Sequence, residues 1–440
     1  MKKKIVFISL FLFSLSPYGY GQYKVEGGQG TPLLLDADAY NIRLPTMLVY
    51  ALYGLNRATI SYESSYTGPH QWYKYATHAF NDVEPIPCEQ MGNTSFITNI
   101  QDGYGYFVGE TNDPSTRYVW IIDYSQYLPS FSTLHPDNNT EDRCSMLSLQ
   151  TDLETPTIVY YLPTGSSAEI VRLFTLAYNT FIWNDERFEF QTKEVVETIK
   201  ATSSTILLSD PPLCDSYFTL SGDAIANHFG AGQKVTSDEY KAVRVEAHFK
   251  YDDGEKETPD NQQFVTGDMT YPAPVDFVFT AIANEPVAAS YRWRIYRTDQ
   301  DKSEAIVDFT SKELRHPFNR SGRYSVKLEV SDRQSVCVDS ASVDVTITES
   351  FLDAPNAFSP ASSPGVNDIY KVSYKSIVKF NAWIFNRWGN QLYHWSDPAG
   401  GWDGKVNGKV VPTGVYYVVI EAEGSDGQKY KIRRDVNILR

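Results

Sequence analysis

Runs of alternating apolar and polar residues recur along most of the chain and are separated by clusters of Gly, Pro, Asn and Asp. In Gly322–Asp332 every second residue from Tyr324 to Val330 is apolar. In Lys429–Ile438 the apolar residues again share one face, which Arg434 interrupts. Alternation with a period of two predicts β-strands, and the residues between the runs supply turns. Long runs with helical periodicity do not occur in the sequence, so the pattern predicts an all-β chain of tandem β-sandwiches.

Residues 352–440 carry five short motifs rich in turn-forming and aromatic residues. In chain order they are PNAFSP (355–360), GVND (365–368), IFNRWGN (384–390), GWDG (401–404) and PTGVY (412–416). Between them, β-rich runs such as Phe380–Phe385 and Val415–Ile420 predict a small closed β-sandwich. By pattern alone this would be an ordinary immunoglobulin-like or fibronectin-like module.

The order of these motifs resembles the gliding-motility-associated C-terminal domain, the type B sorting domain of the type IX secretion system of Bacteroidota. The resemblance implies that this β-sandwich is a sorting domain that directs export through the type IX translocon. It also implies docking on a PorP/SprF-like outer-membrane β-barrel, so that the protein stays at the cell surface. The residues that match the family's motifs are Asn356, Phe358, Pro360, Asn367, Asp368, Phe385, Asn386, Arg387, Trp388, Gly389, Gly401, Trp402, Asp403, Gly404, Gly414 and Tyr416.

One loop departs from the family pattern. Where the family has an Asn-Gly-Asp-Gly run, this chain has Ala361–Gly365, and only Asn367 and Asp368 remain. Because Ca²⁺ takes six or more oxygen ligands, no metal site is predicted in this loop. Acid pairs elsewhere, such as Asp252 and Asp253, also lack enough spaced oxygens. The sequence therefore predicts neither a metal nor a cofactor.

The first residues have the composition of a targeting segment. Three lysines at positions 2–4 precede the apolar run Ile5–Leu15, which is too short to span a bilayer. Gly21 followed by Gln22 suits cleavage by signal peptidase. We therefore expect residues 1–21 to be a signal peptide, with an uncleaved anchor helix as the alternative.

Turn signals divide the chain between the signal peptide and the tail into three units. The sequence predicts an N-terminal β-sandwich over residues 22–127, a second β-sandwich over 128–204 and a third unit over 205–349. The stretch Thr198–Asp210 is open to two interpretations, a linker or the first strand of the third unit.

The third unit resembles a PKD-like domain with an N-terminal extension. Its run Gly322–Asp332 follows the pattern G-x-Y-x-V-x-L-x-V-x-D, and Trp293 occupies an apolar position of another predicted strand. The resemblance covers Pro272–Thr348 and implies an immunoglobulin-like spacer or interaction module.

Aromatic residues of the N-terminal sandwich allow two interpretations. Trp72 and Trp120 are candidates for its core. The alternative is an exposed platform on which sugars could stack, because aromatic rings combine apolar area with a polar edge. The members of this platform would be Tyr62, Tyr66, Trp72, Tyr73 and Tyr75.

Charge is unevenly distributed along the chain. The formal net charge is −15, whereas residues 352–440 hold 11 Lys and Arg against 8 Asp and Glu, so the acidic excess lies upstream. Binding of nucleic acid needs clustered Lys and Arg, so nucleic acid is excluded as a partner. The mildly basic tail favours docking by charge complementarity, while a solvated acidic surface is the simplest interpretation of the rest.

Four cysteines in an exported chain predict two disulfides. Of the three possible pairings, Cys88–Cys144 with Cys214–Cys337 is favoured, because each bond then joins neighbours in the sequence. None of the four lies in a C-x-x-C pair, so zinc binding and thiol redox chemistry are not predicted.

No recognisable catalytic motif occurs in the sequence. It lacks H-E-x-x-H, G-x-S-x-G and a Walker loop, and its seven histidines are scattered. We therefore expect a non-enzymatic surface protein whose upstream sandwiches act in adhesion or bind a glycan or a host or cell-surface protein. The alternative is a secreted glycoside or polysaccharide hydrolase with a catalytic N-terminal β-sandwich, because two carboxylates distant in sequence can still face each other.

Overall fold

The computed structural model describes residues 22–64, 68–109, 116–137, 142–200, 203–254, 258–299, 304–360, 365 and 367–439. The predicted signal peptide, Tyr66 and residues 361–364 lie outside the described residues. Within the described part of the chain, strands dominate and the one α-helix has 5 residues, which confirms the all-β prediction. No helix in this part combines the length and hydropathy needed to cross a membrane.

Ten strands form the first unit: β1 (Gln22–Glu26), β2 (Leu33–Leu34), β3 (Met47–Leu52), β4 (Thr59–Glu63), β5 (Trp72–Tyr75), β6 (Val83–Ile86), β7 (Glu89–Met91), β8 (Thr94–Ile97), β9 (Tyr104–Val108) and β10 (Tyr118–Asp123). They make a four-stranded sheet in the order β1-β4-β8-β7 and a six-stranded sheet in the order β2-β3-β10-β9-β5-β6. Strands β3 and β10 are parallel, and one turn of 3-10 helix, Tyr124–Gln126, follows β10.

The six-stranded sheet is buried on both faces. Its strand β10 is therefore apolar without alternation, as strands with two covered faces usually are. Trp72 packs on the face toward the four-stranded sheet and is 0% exposed, and Trp120 lies on the opposite face and is 1% exposed. Both are core residues, as predicted. The alternative interpretation, an exposed aromatic platform, is wrong because Trp72 and Tyr75 are buried. The Trp72 ring packs against Tyr23 and Tyr62.

Nine strands and one helix follow: β11 (Leu134–Asp137), β12 (Met146–Thr151), β13 (Val159–Tyr161), β14 (Ser167–Glu169), β15 (Leu173–Asn184), β16 (Glu189–Lys200), β17 (Thr205–Ser209), β18 (Thr219–Gly222), α1 (Ala224–His228) and β19 (Gln233–Thr236). Sheets in the orders β11-β12-β17 and β16-β15-β18-β19 enclose a core that extends from Phe131 to Tyr240. The predicted boundary at residue 204 lies inside this sandwich, because β17 pairs with β12.

The hairpin β13–β14 and helix α1 pack on the second face of the six-stranded sheet of the first unit. Next to this contact, Arg172 and Asp223 form an ion pair, with side chains 4% and 0% exposed. The Tyr124 hydroxyl donates to Asp223 and accepts from Arg172 Nη2 at 2.9 Å. The first two units therefore share both an apolar contact and a buried polar network.

Eight strands form the third unit: β20 (Ala247–Asp252), β21 (Thr270–Tyr271), β22 (Val275–Ala283), β23 (Ala288–Arg297), β24 (Val307–Thr310), β25 (Glu313–Phe318), β26 (Gly322–Asp332) and β27 (Val338–Ile347). The sheet orders are β20-β22-β25 and β21-β27-β26-β23-β24. Trp293 and Val326 are 0% exposed, as the alternation predicts. The Tyr324 hydroxyl donates to the Arg320 carbonyl at 2.8 Å, as the tyrosine corner of immunoglobulin-like sandwiches does.

The favoured disulfide pairing is wrong. The structure joins Cys144 to Cys337, with Cα atoms 5.4 Å apart, and leaves Cys88 and Cys214 as free thiols. Cys144 lies just before β12 and Cys337 lies in the turn between β26 and β27, so the bond connects the second and third units. Proximity in the sequence did not predict the pairing, because the packing of two units brings together cysteines separated by 193 positions.

Nine strands form the C-terminal unit: β28 (Phe351–Asp353), β29 (Ala357–Phe358), β30 (Ser373–Lys375), β31 (Ile377–Phe385), β32 (Gln391–Trp395), β33 (Lys405–Val406), β34 (Lys409–Val410), β35 (Gly414–Gly424) and β36 (Lys429–Ile438). The main sheet has the order β29-β36-β35-β31-β32, and β28–β30 and β33–β34 form two small pairs. Its core includes Phe358, Tyr370, Trp402 and Val418.

One end of this main sheet is attached to the third unit by hydrogen bonds. The Ser425 hydroxyl donates to Thr348 O at 3.0 Å, and the Ser425 carbonyl oxygen accepts from Ser321 N at 3.1 Å. The side chain of Asn261 donates to two main-chain carbonyls of the C-terminal unit at 2.8 Å each. This end, at the start of β31 and the end of β35, is therefore held by the upstream chain.

Candidate functional site at the distal pole of the C-terminal unit

Two motif loops meet at the opposite end of the main sheet. They are Asn386–Asn390, which follows β31, and Pro412–Tyr416, which leads into β35; we call this end the distal pole. Strand β35 runs from Gly414 at the distal pole to Gly424 at the attached end. Ten residue steps at about 3.3 Å per residue separate the two ends by about 33 Å.

The loop Asn386–Asn390 is held by its own asparagine. Asn386 Oδ1 accepts from the amides of Trp388 at 3.0 Å and Asn390 at 2.9 Å, and Asn386 O accepts from Gly389 N at 2.9 Å. Gly389 has φ +82, a left-handed conformation that glycine adopts without strain. Asn and Gly at these positions therefore fix a tight turn that projects the two residues between them.

Those two residues are Arg387 and Trp388. The Trp388 side chain is 71% exposed, and the Arg387 guanidinium lies 4.4 Å from the centroid of its ring. A guanidinium over an indole face is attracted by the ring quadrupole, and the pair presents a flat surface that is both apolar and cationic. Large exposed aromatic residues beside a cation are typical of binding surfaces.

A cavity of about 360 Å³ lies beside this pair. Tyr416 forms part of its wall, and its hydroxyl donates to Pro412 O at 2.9 Å, which closes the turn. Burial raises the pKa of Tyr416, so its hydroxyl stays protonated and keeps donating. The other lining residues are Asn386, Arg387, Trp388, Leu392, Val406, Val411, Pro412, Thr413, Gly414 and Val415.

The GWDG motif contributes its tryptophan to the core of the C-terminal unit. Trp402 is 0% exposed, and its indole donates to Lys405 O at 3.0 Å. A Cβ on Gly401 would lie 2.5 Å from Tyr370 O, so only glycine fits there. Desolvation raises the pKa of Asp403, but hydrogen bonds from the side chain and amide of Lys405, at 3.0 Å each, outweigh it and keep this pKa below its usual value.

The two N-terminal motifs close the sandwich. Phe358 packs against the rings of Tyr370 and Trp402, and β29 pairs in parallel with the end of β36. Asn356 O accepts from the amide of residue 437 at 2.8 Å, and Asn367 O accepts from Ser359 N at 3.0 Å. Further contacts bind this segment together: Asp368 accepts from the amide of Gly365, and Pro360 lies against Gly404.

The structure therefore separates the predicted motif residues into two groups. Asn386, Arg387, Trp388, Gly414 and Tyr416 meet at the distal pole, Gly389 and Phe385 support its loop, and the other motif residues hold the fold. The apolar residues that complete the cavity wall were missed by the sequence analysis, namely Leu392, Val406 and Val411. They lie outside the motifs, and only the strand pairing brings them there.

A second cavity, of about 430 Å³, lies at the attached end between the third and C-terminal units. Two of its charged residues, Arg297 and Glu423, already form ion pairs. Arg297 pairs with Asp299 at 2.9 Å, and Glu423 accepts from Lys379 at 2.9 Å. The hydrogen bond from Lys379 lowers the pKa of Glu423, and each of the two pairs lies within one unit. Among the described residues, no group of three or more His, Cys, Asp or Glu side chains is arranged to hold a metal ion.

Comparison with known families agrees with this description. Residues 352–433 match the family model described as the CHU_C type IX secretion signal domain. Residues 136–237 match the model described as a fibronectin type III domain. The chain therefore carries a type IX secretion signal domain behind fibronectin-like and immunoglobulin-like sandwiches, which confirms the C-terminal resemblance. A search of the curated proteins gave no match.

Solved structures that the chain matches include the tetra-tandem repeat in the extending region of a large adhesion protein, at 12% identity, covering 89% of this chain and 99% of that chain, with a TM-score of 0.20. Three N-terminal domains of the bacteriophage RB49 outer capsid protein Hoc match at 11% identity over 71% of this chain and 98% of theirs, with a TM-score of 0.20. Dimeric latent PorU from Porphyromonas gingivalis matches at 8% identity, covering 73% of this chain and 35% of that chain, with a TM-score of 0.15. Scores this low carry no argument about function.

Proposed function

We propose that the C-terminal unit routes the chain through the type IX translocon and then holds it at the cell surface by docking its distal pole on a PorP/SprF-like outer-membrane β-barrel. The exposed Arg387–Trp388 pair beside an apolar cavity is the observation that carries this proposal. The opposite end of the sheet is occupied by hydrogen bonds to the third unit, so the distal pole is the end that remains open to a partner.

The upstream sandwiches serve, in this proposal, as a non-catalytic body that mediates adhesion or binds a partner such as a glycan or a surface protein. Three kinds of contact support a stiff arrangement of neighbouring units: the shared apolar face of the first two, the Cys144–Cys337 bond between the second and third, and the hydrogen bonds at Ser425. We propose that the second sandwich extends to about Tyr240, where its core ends.

Deletion of residues 352–440 in a Bacteroidota host with a type IX system tests the export step. The truncated chain should accumulate in the periplasm, measured by cell fractionation and by protection from protease added to intact cells. Unchanged display on the cell surface would refute the proposal.

A double substitution, Arg387→Ala with Trp388→Ala, tests the docking step. We expect the folded variant to cross the outer membrane but to be released into the medium, because the exposed pair is lost while the core is intact. The matched control is Tyr417→Ala, which removes an aromatic ring that is 46% exposed and does not line the cavity. Equal retention of both variants, with equal melting temperatures, would contradict docking through the distal pole.

A further inference from the structure

Strand β16 forms one edge of the second sandwich and is unusually long. In the order β16-β15-β18-β19 it has β15 on one side, and no other strand of the described residues pairs with it. It has 12 residues, against about 5–6 for an average strand. Its sequence, EFQTKEVVETIK, contains no Pro or Gly that would interrupt pairing. The Val196 side chain is 64% exposed on this edge.

The hydrogen bonds of β15 determine which main-chain groups of β16 face outward. Asn179 N donates to Ser216 Oγ at 2.9 Å, and Asn179 O accepts from Cys214 Sγ, both on the side away from β16. Alternate residues of an antiparallel strand bond to opposite neighbours, so Tyr178 bonds toward β16, where it pairs with Val195. The main-chain N–H and C=O groups of the odd-numbered residues of β16 therefore bond to β15. Those of the even-numbered residues point to solvent.

We propose that β16 is a self-association edge, through which two copies of the chain pair in antiparallel orientation and join their sheets. A two-fold axis perpendicular to the sheet places the same face of both copies on the same side of the joined sheet. An odd-numbered residue of one copy can therefore lie opposite only an odd-numbered residue of the other, and an even-numbered residue opposite only an even-numbered one. With Val195 on the axis, Lys193 lies opposite Glu197 of the second copy, and the symmetry makes this pair twice. Thr192 then lies opposite Thr198, a favourable cross-strand pair.

Neighbouring registers are worse because of their charges. An axis through Lys193, Glu194 or Glu197 sets two like charges directly opposite each other, which destabilises pairing. An axis through Val196 sets Lys193 opposite Ile199 and makes no ion pair. Charges on an edge strand usually keep it from pairing with unrelated strands. Here the same charges favour one register with a second copy.

The test is the oligomeric state of the purified chain from residue 22 onward, measured by sedimentation equilibrium over a concentration series. The wild type should form a dimer that dissociates on dilution. Lys193→Glu and Glu197→Lys each place like charges opposite each other twice, so each should raise the dissociation constant roughly tenfold or more. The double variant Lys193→Glu/Glu197→Lys restores opposite charges and should restore the dimer.

Lys200→Glu is the matched control, because it makes the same change of charge on the same strand but lies opposite Phe190 of the second copy. It should dimerise like the wild type. In a second measurement, Val195→Cys should form a disulfide across the axis under oxidation, found by peptide mapping, because a pair not hydrogen-bonded to each other has Cα atoms about 4.5 Å apart. The proposal would be overturned if the wild type were a monomer at every concentration. It would also be overturned if the double variant dissociated as readily as the single variants.

Discussion

The buried network at the junction of the first two units should be a major source of local stability, and Arg172→Met tests it. Arg172 donates from Nη2 to the Tyr124 hydroxyl and to Tyr127 O at 2.9 Å each, and from Nη1 to Pro156 O at 3.0 Å. Its Nε pairs with Asp223. Methionine is similar in length but replaces none of these bonds.

The magnitude follows from what the substitution leaves behind. Asp223 is 0% exposed and would lose its positive partner while staying buried. Breaking a buried ion pair by removing one partner costs about 3–5 kcal/mol. Asp223 would keep bonds from the Tyr124 hydroxyl and from Ala226 N at 2.8 Å, so we expect the lower end, about 3 kcal/mol.

Hydrogen exchange followed by mass spectrometry measures this loss locally, which suits a chain of several units whose global unfolding is not two-state. A loss of about 3 kcal/mol should speed exchange roughly hundredfold in peptides that cover Tyr118–Asp123 and β15. The control is Arg315→Met, whose side chain is 76% exposed, and which should exchange like the wild type. Acceleration of less than about tenfold by Arg172→Met would refute the reasoning, since it would show that the network contributes little.

Three further outcomes are expected. Reduction of the Cys144–Cys337 bond, or Cys144→Ser, should lower the free energy of local unfolding of the second and third units by about 2–4 kcal/mol, seen as faster hydrogen exchange in peptides beside the bond, and unchanged exchange would contradict it. Burial raises the pKa of the Cys88 thiol, so the pH at which its alkylation rate reaches half its maximum should lie above that of a urea-unfolded control, and equal midpoints would count against burial. Gly401→Ala should cost about 1–3 kcal/mol because its Cβ would meet a carbonyl oxygen 2.5 Å away, and an unchanged melting temperature would contradict this.

Strand positions were predictable from the sequence because alternation reports directly on local geometry. Each apolar residue of Gly322–Asp332 that was assigned to the inner face is buried. The same rule identified Trp293, whereas Trp72 and Trp120 were predicted as core residues from the regular spacing of short strands. Alternation could not decide whether aromatic residues such as Tyr75 face a partner or the interior, because the second covered face comes from a hairpin and a helix far along the chain.

The disulfide and the cavity depend on packing between elements. Cys144 and Cys337 belong to different units, and no local pattern records that their turns meet. The walls of the distal-pole cavity come from three separate hairpins, so Leu392 and Val411 have no motif around them. Motif order identified the loop that projects Trp388, but the difference between this exposed tryptophan and the buried Trp402 needed the structure.

That difference between two motif tryptophans explains how one small unit can be both stable and available for binding. Trp402 is fully buried in the core, where Phe358 and Tyr370 are also buried. Trp388 contributes nothing to that core, and its turn is maintained by Asn386 and Gly389 instead of by packing. Since the other end of the sheet is tied to the third unit at Ser425, the long strands β31 and β35 set the exposed pair as far from the upstream chain as the unit allows. A partner can therefore approach the distal pole without displacing any contact that keeps the C-terminal unit folded.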